Sequence, residues 1–197
     1  FKVARDFIER VKTKSIGVEV GWKSGVVKCE DIEQFDFSTV DLVLMSVSGS
    51  FSKEWSPKIG AAGPIVIDNS SAWRMDPDVP LIVPEVNPDD VSFARKKNII
   101  ANPNCSTAQL VVALKPLHEA AKIKRVVVST YQSVSGAGKE GMDELWDQTK
   151  SVYMLGASEP KKFPKQIAFN VIPFIGSFND DGYTDEEAKM WNETHKM

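Results

Sequence analysis

Apolar positions along the chain gather in short unbroken runs. Val40 to Val47 is the first (Val-Asp-Leu-Val-Leu-Met-Ser-Val); Ser48-Gly49-Ser50 breaks it, and Phe51 to Ala62 then reads as a short helix. Pro64 to Asp68, Leu81 to Val83 and Asn98 to Ala101 predict three more strands, the last stopped by Pro103. Continuous apolar strands of this length point to a parallel sheet covered on both faces. After Cys105 the spacing predicts a helix from Ser106 to Leu114, kinked or restarted at Pro116. Arg125 to Tyr131 predicts a further strand. It feeds a small-residue turn, Ser133 to Gly138, and then an amphipathic helix with Met142, Leu145 and Trp146 on one face.

The two ends carry weaker patterns. Val3, Phe7, Ile8 and Val11 have helical spacing, while Thr184 to Met197 predicts an exposed helix capped by Thr184 or Asp185. Ser158 to Lys165, rich in Pro and Lys, predicts a loop, and no internal repeat is visible.

Composition narrows the function classes. The 197 residues are enough for one large or two small cored domains, with 42% hydrophobic and 26% charged residues and a net charge of -3. There is no basic excess to attract nucleic acid, so any anion site must be local. No apolar run approaches the roughly 20 residues needed to cross a bilayer, and the first residues lack a signal-peptide plan, which predicts a cytoplasmic protein. The two cysteines, Cys29 and Cys105, are too few for a disulfide framework or a cysteine-rich metal site, and no metal is expected.

Candidate chemistry centres on Cys105. A strand that delivers Asn102-Pro103-Asn104-Cys105 directly into Ser-Thr-Ala-Gln-Leu-Val-Val places the thiol at a helix N-terminus. Unpaired N–H groups and the helix dipole there favour negative charge, which suits a nucleophilic thiolate and an oxyanion developing on a bound carbonyl. The competing reading is a small buried hydrophobe, as free cysteine usually is. Cys29, in Val26-Val27-Lys28-Cys29-Glu30, has no such placement and reads as structural.

Three sets of residues carry a resemblance: Pro103-Asn104-Cys105-Ser106-Thr107; Tyr131-Gln132-Ser133-Val134-Ser135-Gly136-Ala137-Gly138; and Asp68 to Arg74 (Asp-Asn-Ser-Ser-Ala-Trp-Arg) followed by Val83-Pro84-Glu85-Val86-Asn87. In order and spacing the chain, from about Ser15 to its last residue, resembles the bacterial aspartate-semialdehyde dehydrogenase family. Glyceraldehyde-phosphate dehydrogenase and N-acetyl-glutamyl-phosphate reductase share the cysteine plan, but the flanks of Cys105 are not theirs. The resemblance implies an α/β chain: a Rossmann-like NAD(P)-binding domain over residues 1–105, then a glyceraldehyde-phosphate-dehydrogenase-like catalytic and dimerisation domain over 106–197.

It also implies an activity, the NADPH-dependent reduction of L-aspartyl 4-phosphate to aspartate 4-semialdehyde through a thioester on Cys105, on the route to lysine (through diaminopimelate), methionine and threonine. Gln132 would orient the substrate; by itself it reads as a strand-end amide. Arg74 would hold the phosphate with its planar fork, together with Asn104 and Lys189, and Glu186 would meet the substrate's amino group. Glu186 and Lys189, three apart, also read as an ordinary surface ion pair. Ser135 and Gly136 would line the nicotinamide, although Ser-Gly-Ala-Gly is also simply a turn. Lys14 and Ser15 match an Arg-Ser pair beside the adenosine 2′-phosphate, so NADP is expected with a bidentate arginine exchanged for lysine. The family implies a homodimer or tetramer.

Where the chain departs from the family, expectations change. No strand with a glycine-rich pyrophosphate turn is found, and residues 1–13, which should align as the following strand, have helical spacing. The family's downstream arginine and proton-transferring histidine are not matched; His118 and His195 fall elsewhere. These departures predict a fragment, incomplete at both domain ends, that binds NADP weakly and turns over little alone. The alternatives are a related acyl-phosphate reductase with another substrate, and an inactive remnant that pairs with a complete copy.

Overall fold

The computed structural model describes residues 16–22, 25–156 and 158–197. The helix expected over Val3 to Val11 and the cofactor residues Lys14 and Ser15 lie outside them. The chain divides into two compact units: one runs up to Ala120 and takes in Met190–Met197, the other is Ala121–Lys189. Residues 105 and 106, where the sequence reading divides the chain, both lie in the first unit.

The first unit opens with a hairpin the sequence reading did not anticipate. In it β1 (Glu19–Trp22) pairs antiparallel with β2 (Gly25–Lys28). A parallel sheet follows, in the order β3 (Leu42–Met45), β4 (Ile65–Asp68), β5 (Ile99–Ala101), matching the three apolar runs. Helix α1 (Gly49–Ala61) connects β3 to β4. It starts where Ser48, in extended conformation, accepts the Phe51 N–H on its hydroxyl at 3.4 Å, so the supposed breaker Ser48-Gly49-Ser50 is a cap and a first turn. Gly60 lets α1 approach the entry to β5: a Cβ there would stand 2.5 Å from the Lys97 carbonyl. Ile59 of α1 packs with Met45, Val66, Ile99 and Ala101 of the sheet and with Val79 and Leu81.

Two expectations about strands are corrected. Leu81 to Val83 forms only a single parallel bridge, Leu81 to Ala101, because Pro80 and Pro84 on either side have no N–H to extend a ladder. Arg125 to Tyr131 shows no strand pairing among the described residues, and Val127 and Tyr131 are largely exposed. An apolar run gains strand geometry only from a neighbour that takes its backbone hydrogen bonds. Helix α2 (Cys105–Ala121) also differs from expectation, running unbroken past Pro116.

In the second unit, α3 (Gly138–Tyr153) turns a different face inward from the one its apolar residues suggest. Met142 and Trp146 are exposed, whereas Gly141 and Gln148 are buried. The reason is polar: Gln148 Oε1 accepts the N–H groups of Ile167 (2.8 Å) and Ala168 (3.1 Å), and Glu144 accepts those of Lys161, Lys162 and Phe163. The helix is a bracket for the 158–168 loop. Helix α4 (Asp185–Lys196) begins with a capping box in which Thr184 N–H and Oγ1 donate to Glu187 Oε2 and Glu187 N–H returns a bond to Thr184 Oγ1. Those two donors hold the Glu187 carboxyl below its usual range. Thr184→Ala is expected to cost about 1 kcal/mol, read as a lower midpoint of chemical denaturation.

Among the described residues no helix is long and apolar enough to cross a membrane.

Candidate active site

The loop after β4 is fixed from its first residue. Asp68 is fully buried and its carboxylate is surrounded by donors: the hydroxyls of Ser52 and Ser56 from α1, and the N–H (2.7 Å) and hydroxyl (2.6 Å) of Ser70. Trp73 Nε1 donates to Ser52 Oγ at 2.9 Å, closing the loop against α1. A buried carboxylate is tolerated only with this degree of satisfaction. It turns the Asp68-to-Arg74 segment so that Arg74 points into the protein.

There Arg74 is 8% exposed and heavily engaged. Nε donates to the Asn102 carbonyl (2.9 Å), Nη2 to the Asn69 carbonyl (3.0 Å) and Nη1 to Glu193 Oε1 (3.0 Å). The sequence reading expects a guanidinium offered to phosphate; the structure commits three of its five N–H donors to the protein itself. Glu193, which that reading left out, is 1% exposed, and its second oxygen accepts the Asn104 N–H at 2.7 Å. A signal for it exists. Met190 and Glu193 on α4 and Met197 just beyond it stand at helical spacing, and a carboxylate in an apolar stripe needs a buried partner.

Lys196, one turn on, grips the same loop by donating to the carbonyls of Arg74 (2.7 Å), Asp76 (2.7 Å) and Val79 (2.8 Å). Burial pushes this lysine below its usual range, with the Asp76 charge opposing. Partial burial alone would raise Asp76, but hydrogen bonds from Lys97 and the Asp78 N–H, with the charges of Lys97 and Lys196, outweigh it and leave Asp76 lowered. A carboxylate lowered on folding stabilises above its unfolded value and loses that contribution as pH falls through the folded one. Asp76→Asn is therefore expected to flatten the fall of melting temperature with pH below about pH 4.

Cys105 is exposed and is the first residue of α2. Asn104 caps the helix: its Oδ1 accepts the Ser106 N–H at 2.9 Å and its carbonyl accepts that of Ala108 at 2.9 Å. The N–H groups of Asn104 and Ser106 are thus already bonded within the protein, so an oxyanion at this helix end would draw on its other donors. The structure brings Arg74, Asn104 and Cys105 together within the first unit.

The remaining expected site residues among those described lie in the second unit. Gln132 is exposed and stands beside the turn Val134–Ala137, where a Cβ on Gly136 would come within 3.1 Å of Gln132 Nε2. Ser133 and Ser135 share a hydroxyl bond of 2.8 Å, and Gly138 at φ +77° ends the turn in a conformation glycine accepts readily. Glu186 and Lys189 are half-buried and paired with each other. Cys29 is buried, at 5% exposure.

Comparison with known proteins finds two domain signatures, whose bounds differ from those of the two compact units. The signature "Semialdehyde dehydrogenase, NAD binding domain" matches residues 12–94, and "Semialdehyde dehydrogenase, dimerisation domain" matches 114–197. Aspartate-semialdehyde dehydrogenase of Aquifex aeolicus is 61% identical over 163 residues, 82% of this chain and 48% of that protein. The chain belongs to the aspartate-semialdehyde dehydrogenase family. The Shewanella violacea member is 46% identical over all 197 residues, which make up 58% of its length. Among solved structures, the Vibrio cholerae aspartate semialdehyde dehydrogenase II matches with a TM-score of 0.93 at 48% identity, covering 96% of this chain and 56% of that one. The chain thus spans about half the length of the curated relatives it matches. The nucleotide-binding domain is of the Rossmann-like kind the sequence implied, followed by the family's dimerisation domain.

Proposed function

We propose that the protein reduces L-aspartyl 4-phosphate to L-aspartate 4-semialdehyde with NADPH, through a thioester on Cys105, in the biosynthesis of lysine, methionine and threonine. The observation that carries this reading is the exposed Cys105 at the first residue of α2, with the turn before it held by buried charged groups. The Cys105 thiolate attacks the acyl carbon, a C–S bond forms, the bond from that carbon to the bridging oxygen breaks, and the oxygen leaves with the phosphate. Gln132 orients the acyl group. NADPH, when bound, would supply the hydride that reduces the thioester carbon. Breaking the C–S bond then releases the aldehyde and returns the thiolate.

Arg74 meets the phosphate with its two remaining N–H donors, one on each Nη, with Asn104 and Lys189 assisting, and Glu186 takes the substrate's ammonium group. The exposed turn at Ser135 and Gly136 fits close backbone approach by a flat ring, and these two residues would hold the nicotinamide side. Lys14 and Ser15 would meet the adenosine 2′-phosphate, which favours NADP over NAD. Residues 1–105 and 106–197 serve as the nucleotide-binding and the catalytic and dimerising parts of a cytoplasmic homo-oligomer.

The test is the reverse reaction on the protein expressed from its whole reading frame. NADP reduction should require both aspartate semialdehyde and inorganic phosphate. Equal rates without phosphate, or preference for another aldehyde, would favour a related acyl-group reductase instead.

A further inference from the structure

Glu193 is buried in the first unit, contributes a charge, and has no role in the reaction just described. Its two oxygens face different partners: Oε1 takes Arg74 Nη1 at 3.0 Å and Oε2 takes the Asn104 N–H at 2.7 Å. Arg74 in turn reaches back with Nε to the Asn102 carbonyl at 2.9 Å. The ring closes through three residues of backbone, Asn102-Pro103-Asn104, whose middle member is fully buried and has its φ fixed by the proline ring. The next residue is Cys105. Buried ion pairs are a weak source of net stability, since hydrophobic side chains of similar volume often serve as well. What this pair supplies is position, because both sides of the turn, a carbonyl and an amide, are tied to one rigid charged assembly.

We infer that Glu193 is a positioning residue for the Cys105 thiol, clasping the 102–104 turn through the Asn104 amide and through Arg74. The inference rests on the reading of Cys105 as the acyl carrier, but its test separates the two. In Glu193→Gln, one carboxylate oxygen becomes an NH2 that must face a donor, either Arg74 Nη1 or the Asn104 N–H, so one link of the ring opens. Misplacement of a reacting group by about 1 Å can cost roughly a hundredfold in rate.

The measurements use the protein expressed from its whole reading frame. Iodoacetamide alkylation of Cys105 needs no substrate, and the expected result for E193Q is a rate at least about tenfold below that of the unchanged protein. Amide hydrogen exchange over residues 102–107 should accelerate in parallel, and kcat should fall while KM for NADPH stays unchanged. If the single variant folds poorly, Arg74→Met with Glu193→Met removes both buried charges and is expected to fold while still exchanging fast at 102–107 and reacting slowly at Cys105. Alkylation and exchange equal to those of the unchanged protein, in whichever variant folds, would overturn the inference. A Cys105 in the unchanged protein no faster than a simple thiol would instead count against the catalytic reading, and exchange at 102–107 would still decide the clasp.

Discussion

Replacing Cys105 with Ser is expected to lower turnover by several orders of magnitude, up to about a millionfold, while leaving the fold intact. The hydroxyl of serine is far less ionised than a thiol near neutral pH, and losing the nucleophile of a covalent mechanism removes the step on which the others depend. Stability should hardly move. Cys105 is exposed, and its helix is capped by Asn104 rather than by its own side chain, so a change within about 0.5 kcal/mol is expected. Steady-state rates and thermal unfolding on the same preparation give the two readings. A serine variant with more than a few per cent of the original activity would exclude Cys105 as acyl carrier. The same variant separates an enzyme from an inactive pairing remnant, because the remnant would lose nothing.

Arg74→Ala should be costly in a different way. It leaves Glu193, whose side chain is 2% exposed, as a buried carboxylate without its cation, and it strips the donors from the Asn102 and Asn69 carbonyls. Breaking one side of a buried ion pair typically costs about 3–5 kcal/mol, enough to unfold a marginal domain. The expected readings are a large drop in denaturation midpoint and, in whatever folds, a much higher KM for phosphate in the reverse reaction. Arg74→Met together with Glu193→Met should recover much of the stability but none of the activity. Recovery of both would mean that the guanidinium is a structural strut and meets no substrate.

Much of this arrangement could be read from the residues, and the misses have physical causes. β3, β4 and β5 were visible because a parallel strand is a continuous apolar run, and the placement of Cys105 followed from such a run stopping at Pro103. The β1–β2 hairpin is not legible because Glu-Val-Gly-Trp and Gly-Val-Val-Lys mix charged, glycine and apolar residues, so neither is a continuous apolar run. Arg125 to Tyr131 has strand composition, yet composition cannot supply a pairing neighbour. On α3 the apolar residues misled: the face is chosen by Gln148 and Glu144, which satisfy loop N–H groups, and hydropathy does not count that demand. Glu193 is marked only by the spacing of Met190 and Met197 around it, a weak signal on a helix that also carries Glu186, Glu187 and Lys189. Arg74 stands out in the sequence only through the resemblance, and how many of its donors the protein already uses is visible only in the structure.

The central claim is the covalent one: the acyl group passes through the sulfur of Cys105. It is tested most directly by mixing the protein, expressed from its whole reading frame, with aspartate semialdehyde and NADP in the absence of phosphate, quenching in acid and locating the adduct by peptide mass spectrometry. One aspartyl group on the peptide containing Cys105, discharged when phosphate is added before the quench, is the predicted result. An unmodified Cys105 in a preparation that turns over, or an acyl group on any other residue, would contradict the account.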